Sequence, residues 1–206
     1  MSNFWNERYS AQAYAYGKEP NYFFANSLKE LEPKGNILLP AEGEGRNAVF
    51  AALLGLQVSA FDPSEEGKRK ALRLAEENNV TIDYQIGTLD DLQFDEKSFD
   101  HIGLIFAHFT PPVRSRYHSV LMNLLKPGGC LILQGYSRSH QDFQKTNPTA
   151  GGPQNIDMLF TEDLITRDFS ELEIISLKQE EVSLSEGLFH QGPSSVVSFV
   201  GKKKDV

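Results

Sequence analysis

Along most of the chain, short apolar runs alternate with stretches whose apolar residues recur every three or four positions. That alternation predicts βαβ units and a mostly parallel sheet. "NILLP" (36–40) reads as a first strand and "QVSAFD" (57–62) as a second, with a helix over "GRNAVFAALLG" between them that Gly55 stops. Pro63 and Ser64 open the next helix, where Ala71, Leu74, Ala75 and Asn78 share one stripe and Lys68, Arg69 and Lys70 face largely outward. "TIDYQIG" (81–87) gives a third strand and "FDHIGLIFA" (99–107) a fourth. Pro111 and Pro112 suit a first helical turn, and the helix they open runs to about Leu125. "LKPGGCLILQGYS" then supplies a helix end, a Pro-Gly-Gly turn and a fifth strand.

The pattern breaks after Ser137. Residues 138–160 are rich in Gln, Asn, Pro and Gly and include "TAGGPQN". A loop of that length within a compact domain is a functional lid or a disordered segment; a lid is expected here, with His140 inside it and without an assignable role. A short helix follows near 161–168, then two β-rich runs, "LEIISLKQEEVSL" (172–184) and "SSVVSFVGKK" (194–203). No helix-length segment separates these runs, so they should pair antiparallel at the end of the sheet. Ahead of the core, "PNYFFANSLKEL" (20–31) predicts a helix. The nineteen residues before it carry Trp5, Tyr9, Tyr14 and Tyr16 with neither a strand nor a strong helical pattern.

The totals narrow the classes of function. A chain of 206 residues, 40% of them hydrophobic, suits one globular domain over residues 1–206. A formal net charge of −8 argues against a nucleic-acid partner, because a phosphate backbone is gripped by clustered Lys and Arg. The basic run "GKKKD" (201–205) reads as a solvated tail. No apolar stretch approaches the roughly 20 residues of a membrane span, and "MSNFWNERYS" lacks the layout of a secretory signal. The lone cysteine, Cys130, sits in the apolar run "CLIL" and reads as a buried, inert thiol. A cytoplasmic protein, monomeric or weakly dimeric, is expected. No pair of His or Cys has metal-ligand spacing, so no metal site is expected.

Candidate chemistry concentrates in "LPAEGEGRNAV" (39–49). Gly43 and Gly45 leave the backbone bare, so a ligand can lie against the turn. In an open parallel sheet that ligand belongs at the carboxyl ends of the strands, beside the first. Gly43, Gly45 and Ala48 satisfy G-x-G-x-x-A, and Asp62 follows about 20 residues later, where a ribose acid would stand. To this point a dinucleotide enzyme reads the same. Glu42 and Glu44 separate the two readings: a pyrophosphate would meet both carboxylates with only Arg46 and a helix N-terminus in compensation. A phosphate-free nucleoside carrying a sulfonium and an α-ammonium would be attracted, and S-adenosylmethionine is such a ligand. At least one acid should then attend to its positive end, while Glu44 also suits a helix start.

With these motifs in place, the chain resembles the class I S-adenosylmethionine-dependent methyltransferases over nearly its whole length. The resemblance runs from "LPAEGEGRN" through Asp62, "FDHIGLIFAHF" and "LKPGGCLIL" to the terminal hairpin. Within that class it looks like the small bacterial branch of tellurite-resistance and thiopurine-type methyltransferases, on "EGEGRNAVF", "YGKEPNYF", the "GGP…ML" loop and the late "EG–H–G" spacing. The resemblance implies an α/β, three-layer Rossmann-like methyltransferase fold, with a mostly parallel seven-stranded sheet and a terminal antiparallel hairpin. Residues 1–35 would form an arm and helix covering the site. It further implies S-adenosylmethionine as cofactor and in-line methyl transfer to a small-molecule acceptor such as a thiol or chalcogen oxyanion. A non-catalytic S-adenosylmethionine-binding protein and a nicotinamide-dependent reductase are the alternatives.

The resemblance also distributes roles. The family's usual first-motif acid falls on Leu39 and its first glycine on Ala41, which leaves Glu42 to take over the acid's work beside Gly43 and Arg46. Its acid after the third strand falls on Thr88, with Asp90, Asp91 or the backbone near Leu89 to compensate. Asp62 would accept from both ribose hydroxyls or cap the next helix; Pro63 and Ser64 flank the adenine edge or simply start that helix. Tyr16 and Gly17 resemble the segment that folds over the methionine end, where an aromatic face meets a sulfonium well. Ala107 ends the fourth strand on the cofactor side, and His108 beside it is the candidate catalytic proton acceptor, since imidazole titrates near neutral pH. Tyr9, Arg114 and His190 go to the acceptor, Arg114 for an anionic one and His190 closing over it from the hairpin. His101 and His118 read as structural.

Overall fold

The structure, a computed structural model, describes residues 2–147 and 150–205. The chain begins with α1 (Ser2–Tyr9) and α2 (Tyr22–Glu30), then alternates β1 (Asn36–Pro40), α3 (Arg46–Leu53), β2 (Gln57–Asp62), α4 (Glu65–Glu77) and β3 (Asp83–Ile86). It continues through β4 (Phe99–Ile105), α5 (Pro111–Leu124), β5 (Leu125–Tyr136), α6 (His140–Thr146), α7 (Glu162–Asp168), β6 (Leu172–Glu186) and β7 (His190–Lys203). The strands form one seven-stranded sheet in the order β3-β2-β1-β4-β5-β7-β6. β1 to β5 pair in parallel, whereas β7 runs antiparallel to both β5 and β6. This is the expected sheet with its terminal hairpin.

Alternation along the strands creates the three layers. Ile37 and Leu39 of β1 pack with Phe24 and Leu28 of α2, Ala48 of α3 and Leu74 of α4. Leu38, between them, faces the other layer, with Leu121 of α5 and Ile165 of α7. All of these side chains are buried. The order reverses between β1 and β4, which opens a crevice at the carboxyl ends of the strands. Among the described residues no helix is long and apolar enough to cross a membrane. Cys130 is a buried free thiol.

Four expectations are corrected. The arm holds a helix, α1, which an eight-residue segment cannot sustain alone. Trp5 stacks on Tyr9, Oδ1 of Asn6 accepts from the Ser64 hydroxyl at 2.7 Å, and Arg8 lies over the Phe189 ring. Lys70 points inward: its ammonium meets Glu44 at 2.7 Å with both side chains almost fully buried. The segment 138–160 is not an open loop in its described part, since α6 and a 3-10 turn at Ile156–Met158 pack it down; residues 148–149 lie outside the described residues. His140 within it is buried and stacked on Tyr136. Finally, Lys202 and Lys203 of the basic run belong to β7, and the Lys203 ammonium donates to the Leu125 carbonyl at 3.0 Å.

Candidate active site

The turn after β1 is packed on both glycines: a Cβ on Gly43 would meet the Tyr9 hydroxyl, and one on Gly45 would meet Ala71 of α4, so Gly45 offers no face to a ligand. Gly43 and Gly45 take φ values of 62° and 86°, the left-handed region that favours glycine. Gly45 is the N-cap of α3 and has no side chain to satisfy the helix's first amides. Glu42 does so instead: its Oε1 accepts from the Asn47 and Ala48 amides, each at 2.8 Å. Burial pushes its carboxyl up to about 7 against these hydrogen bonds. Glu44 accepts from the Ala15 amide and the Lys70 ammonium, both at 2.7 Å. Both acids are therefore engaged by the protein itself: Glu42 caps a helix, and Glu44 ties the N-terminal arm to α4.

Asp62 ends β2 beside that turn. Its carboxylate accepts from the Gly43 amide at 3.2 Å and the Ser64 amide at 2.9 Å, and burial still raises its pKa to about 6. Ser64 caps α4 through the Gly67 amide, and Pro63 beside it is half-buried. Tyr9, assigned to the acceptor by sequence, lies against Gly43 in the turn after β1. The residue is buried, its hydroxyl has no hydrogen-bond partner among the described residues and is not sealed, and its pKa is raised by burial and by the Asp62 charge. A buried carboxylate with acceptor capacity to spare and an unpartnered hydroxyl, both beside Gly43, form a polar pair that fits a ribose diol. After β3 the Thr88 amide and hydroxyl are both bonded to Asp91, Asp90 is held by Arg116 and Tyr117, and Leu89 packs on the core.

The arm and the hairpin meet across the crevice. The Leu188 amide donates to the Ala15 carbonyl at 2.7 Å, and Gly17 packs on Gly187. Arg46 donates to the Tyr16 carbonyl at 3.1 Å and to Glu186 at 2.8 Å. Glu186 also meets Nδ1 of His190 at 3.1 Å and the Asn21 amide group at 2.9 Å. The His190 ring lies 4.4 Å from that of Tyr16 and 4.3 Å from that of Phe106, at the end of β4. Sequence reasoning missed Glu186, Asn21, Phe106 and Tyr136. The "EG–H–G" spacing did contain Glu186, four residues before His190.

Ala107 is buried at the end of β4, where expected. His108 is placed differently from a proton acceptor. Its Nδ1 donates to the Met158 carbonyl at 2.8 Å, and its Nε2 accepts from the Tyr136 amide at 3.0 Å. Burial lowers its pKa to about 4. Both ring nitrogens serve to latch β5 and the 3-10 turn onto β4, so neither is free for an acceptor's proton. Arg114 is likewise turned from an anionic acceptor: it is buried, pairs with Asp168 at 3.2 Å and donates to the Asp157 carbonyl at 3.1 Å.

Residues 37–129 match the family model described as a methyltransferase domain, a segment from β1 into β5 that holds the glycine turn, Asp62 and His108. A curated relative, the ubiquinone biosynthesis O-methyltransferase of Xanthomonas axonopodis pv. citri (strain 306), is 31% identical over 115 residues. The match takes in 55% of this chain and 48% of that protein, so this chain spans about half of the relative's length. Three solved structures share the fold. One, from work on the conversion of a disulfide bond into a thioacetal group during echinomycin biosynthesis, has a TM-score of 0.80 at 17% identity and covers 100% of this chain and 92% of its own. Haemophilus influenzae TehB has a TM-score of 0.67 at 16% identity, covering 98% and 67% respectively. The Burkholderia thailandensis 1,6-didemethyltoxoflavin-N1-methyltransferase, solved with its substrate and S-adenosylhomocysteine, has a TM-score of 0.64 at 16% identity, covering 89% and 77%. Residues 37–129 thus resemble a methyltransferase domain, and the sheet is that of the S-adenosylmethionine-dependent methyltransferase fold.

Proposed function

We propose that the protein is an S-adenosylmethionine-dependent methyltransferase acting on a small-molecule acceptor. The observation that carries this reading is the convergence of Gly43, Asp62 and Tyr9 at the carboxyl ends of β1 and β2. Asp62 and the Tyr9 hydroxyl beside Gly43 hold the ribose hydroxyls, and Tyr16 with Gly17 closes the methionine end. Bound S-adenosylmethionine supplies a methyl group on a sulfonium, already activated for displacement. The protein's remaining work is to align the acceptor and exclude water, and alignment of this kind can supply on the order of 7–11 kcal/mol. The strap of α1 and residues 10–19, fastened to the hairpin, performs the exclusion.

A small acceptor is favoured because the strap packs over Gly43 and joins the hairpin through the Ala15 carbonyl and Leu188 amide. The names of the Xanthomonas and Burkholderia proteins describe small-molecule methylation, which supports the same reading. We place the protein beside the tellurite-resistance and thiopurine-type branch. Two of the four stretches that suggest it, "YGKEPNYF" and the "EG–H–G" spacing, pack against each other through Gly17 on Gly187 and Tyr16 on His190, as parts of one device do. Isothermal titration with S-adenosylhomocysteine and with NADH tests the cofactor, and transfer of a labelled methyl group to a panel of phenols, thiols, amines, selenite and tellurite tests the reaction. Binding of S-adenosylhomocysteine with turnover on a panel member is expected. Binding of NADH alone, or tight S-adenosylhomocysteine binding without any turnover, would overturn it.

A further inference from the structure

Resting on that proposed function, we infer that His190 is the proton acceptor of the methyl transfer and Glu186 its positioning residue. The methyl acceptor is accordingly a hydroxyl or N–H group that arrives protonated, rather than a preformed anion.

The five histidines separate by what their ring nitrogens touch. His108 has both nitrogens bonded to backbone, and His140 is held by the Gly151 carbonyl and the Ser195 amide. Nδ1 of His101 and Nε2 of His118 lack partners but are sealed inside the protein. His190 differs: Nδ1 faces Glu186, while Nε2 bonds no protein group among the described residues and is not sealed. Burial alone would raise the Glu186 carboxyl, but the His190 hydrogen bond and the Arg46 charge outweigh it and hold Glu186 ionised. An ionised Glu186 accepts from Nδ1–H, which fixes the tautomer and leaves the lone pair on Nε2. Burial keeps the ring itself neutral near pH 7. A neutral imidazole with an oriented, unoccupied nitrogen is what a general base requires.

The surroundings decide what it can serve. The groups facing His190 are Glu186 on the hairpin, Arg46 of α3, Tyr16 of the arm, Tyr136 of β5 and His140 of α6. Arg46 is divided between Glu186 and the Tyr16 carbonyl, so its charge is already answered beside His190, while Arg8 lies over Phe189 and donates to the Tyr16 hydroxyl at 3.3 Å. With Glu186 ionised and Arg46 committed to it, a preformed oxyanion at Nε2 of His190 gains little, whereas a neutral hydroxyl finds a base there. As the acceptor's heteroatom bonds to the methyl carbon, the carbon–sulfur bond breaks with its electron pair left on sulfur. The acceptor's proton passes to Nε2 of His190, and the imidazolium, steadied by Glu186, later gives that proton to water.

The test combines ring NMR with transfer assays. In the wild type without cofactor, 15N spectra should show the His190 proton on Nδ1 and a titration below the ordinary histidine range; E186Q should lose the tautomer preference and titrate lower still. With catechol as the probe, H190N should lower kcat by about 10²–10⁴-fold with little change in KM, as expected for a lost general base. E186Q should lower it less and displace the acidic limb of the pH profile. A proton on Nε2 in the wild type, or a wild-type rate and pH limb in H190N, would overturn the assignment. So would faster transfer to selenite or tellurite than to catechol that H190N leaves untouched. Isothermal titration separates the two readings: if the wild type binds no S-adenosylhomocysteine the proposed function fails, and if it binds while H190N transfers normally only the dyad fails.

Discussion

The hydroxyl of Tyr9 stands 2.6 Å from the point where a Cβ on Gly43 would sit, so the first helix closes directly on the glycine turn. Trp5 backs the Tyr9 ring, and Asn6 holds Ser64 on the far side. The strap therefore covers Gly43, Asp62 and Ser64 as one surface.

That contact makes Gly43→Ala costly twice over. A side chain at φ 62° carries roughly 1–2 kcal/mol of strain, and the new methyl must displace the Tyr9 ring. The affinity for S-adenosylhomocysteine should fall at least tenfold by titration calorimetry. Adding Y9F removes the nearest atom and leaves Cζ at 3.1 Å, so the double variant should recover part of the loss. An additive double-mutant cycle would refute the coupling.

The Lys70–Glu44 pair is the other fastening of the strap, since Lys70 also donates to the Ala13 carbonyl at 2.7 Å. Lys70→Met leaves the Glu44 carboxylate buried without its cation, a defect of about 3–5 kcal/mol. Urea unfolding should register that loss, and limited proteolysis should cut faster within residues 10–19. A stability change below about 1 kcal/mol would mean the pair does not hold the strap.

Much of this architecture was legible in the sequence, for a definite reason. Strand period, glycine stops and the missing helix between β6 and β7 are local signals, and they predicted the parallel strands and the antiparallel end of the sheet. The site was harder because its partners are distant. Arg46 and Glu186 are 140 residues apart, and only the fold brings them to 2.8 Å. The residues of "EGEG" were identified but not their directions, because whether Glu42 faces a ligand or the Asn47 and Ala48 amides depends on the backbone of the turn. Lys70 reads as outward by its charge; its burial follows from Glu44, which no periodicity reveals. His108 was chosen for its position after β4, where a free nitrogen and a latched one look identical in sequence.

Asp62 should make cofactor binding depend on pH. Burial raises its pKa to about 6 in the free protein, and ribose hydroxyls that donate to the carboxylate stabilise its ionised form. Affinity for S-adenosylhomocysteine is therefore full above pH 6 and declines as pH falls through it, approaching tenfold per unit. Titration in buffers of different ionisation enthalpy should show proton release on binding near pH 6. Asp62→Asn should bind weakly and lose this dependence; a wild-type slope in that variant would assign the proton elsewhere.

His108 supplies the last prediction, which turns on its two backbone bonds. Replacing it with Leu leaves the Tyr136 amide and the Met158 carbonyl without partners, a loss of about 1–3 kcal/mol for each buried group. The sign of its pH dependence follows from the lowered pKa. The folded protein holds His108 neutral down to about pH 4, whereas the unfolded chain protonates it near 6.5. Its contribution is thus complete above pH 6.5 and is lost as pH drops toward 4. Glu42 and Asp62, whose folded pKa values are raised, slope the other way, so the difference between wild type and H108L isolates the histidine. The cost of H108L in urea unfolding should shrink by about 2 kcal/mol between pH 7 and pH 5. Transfer assays supply the independent check: a structural latch leaves the acidic limb of the rate profile in place in H108L. If that limb vanishes in H108L and survives in H190N, the proton acceptor is His108 after all, and the latch must open during turnover.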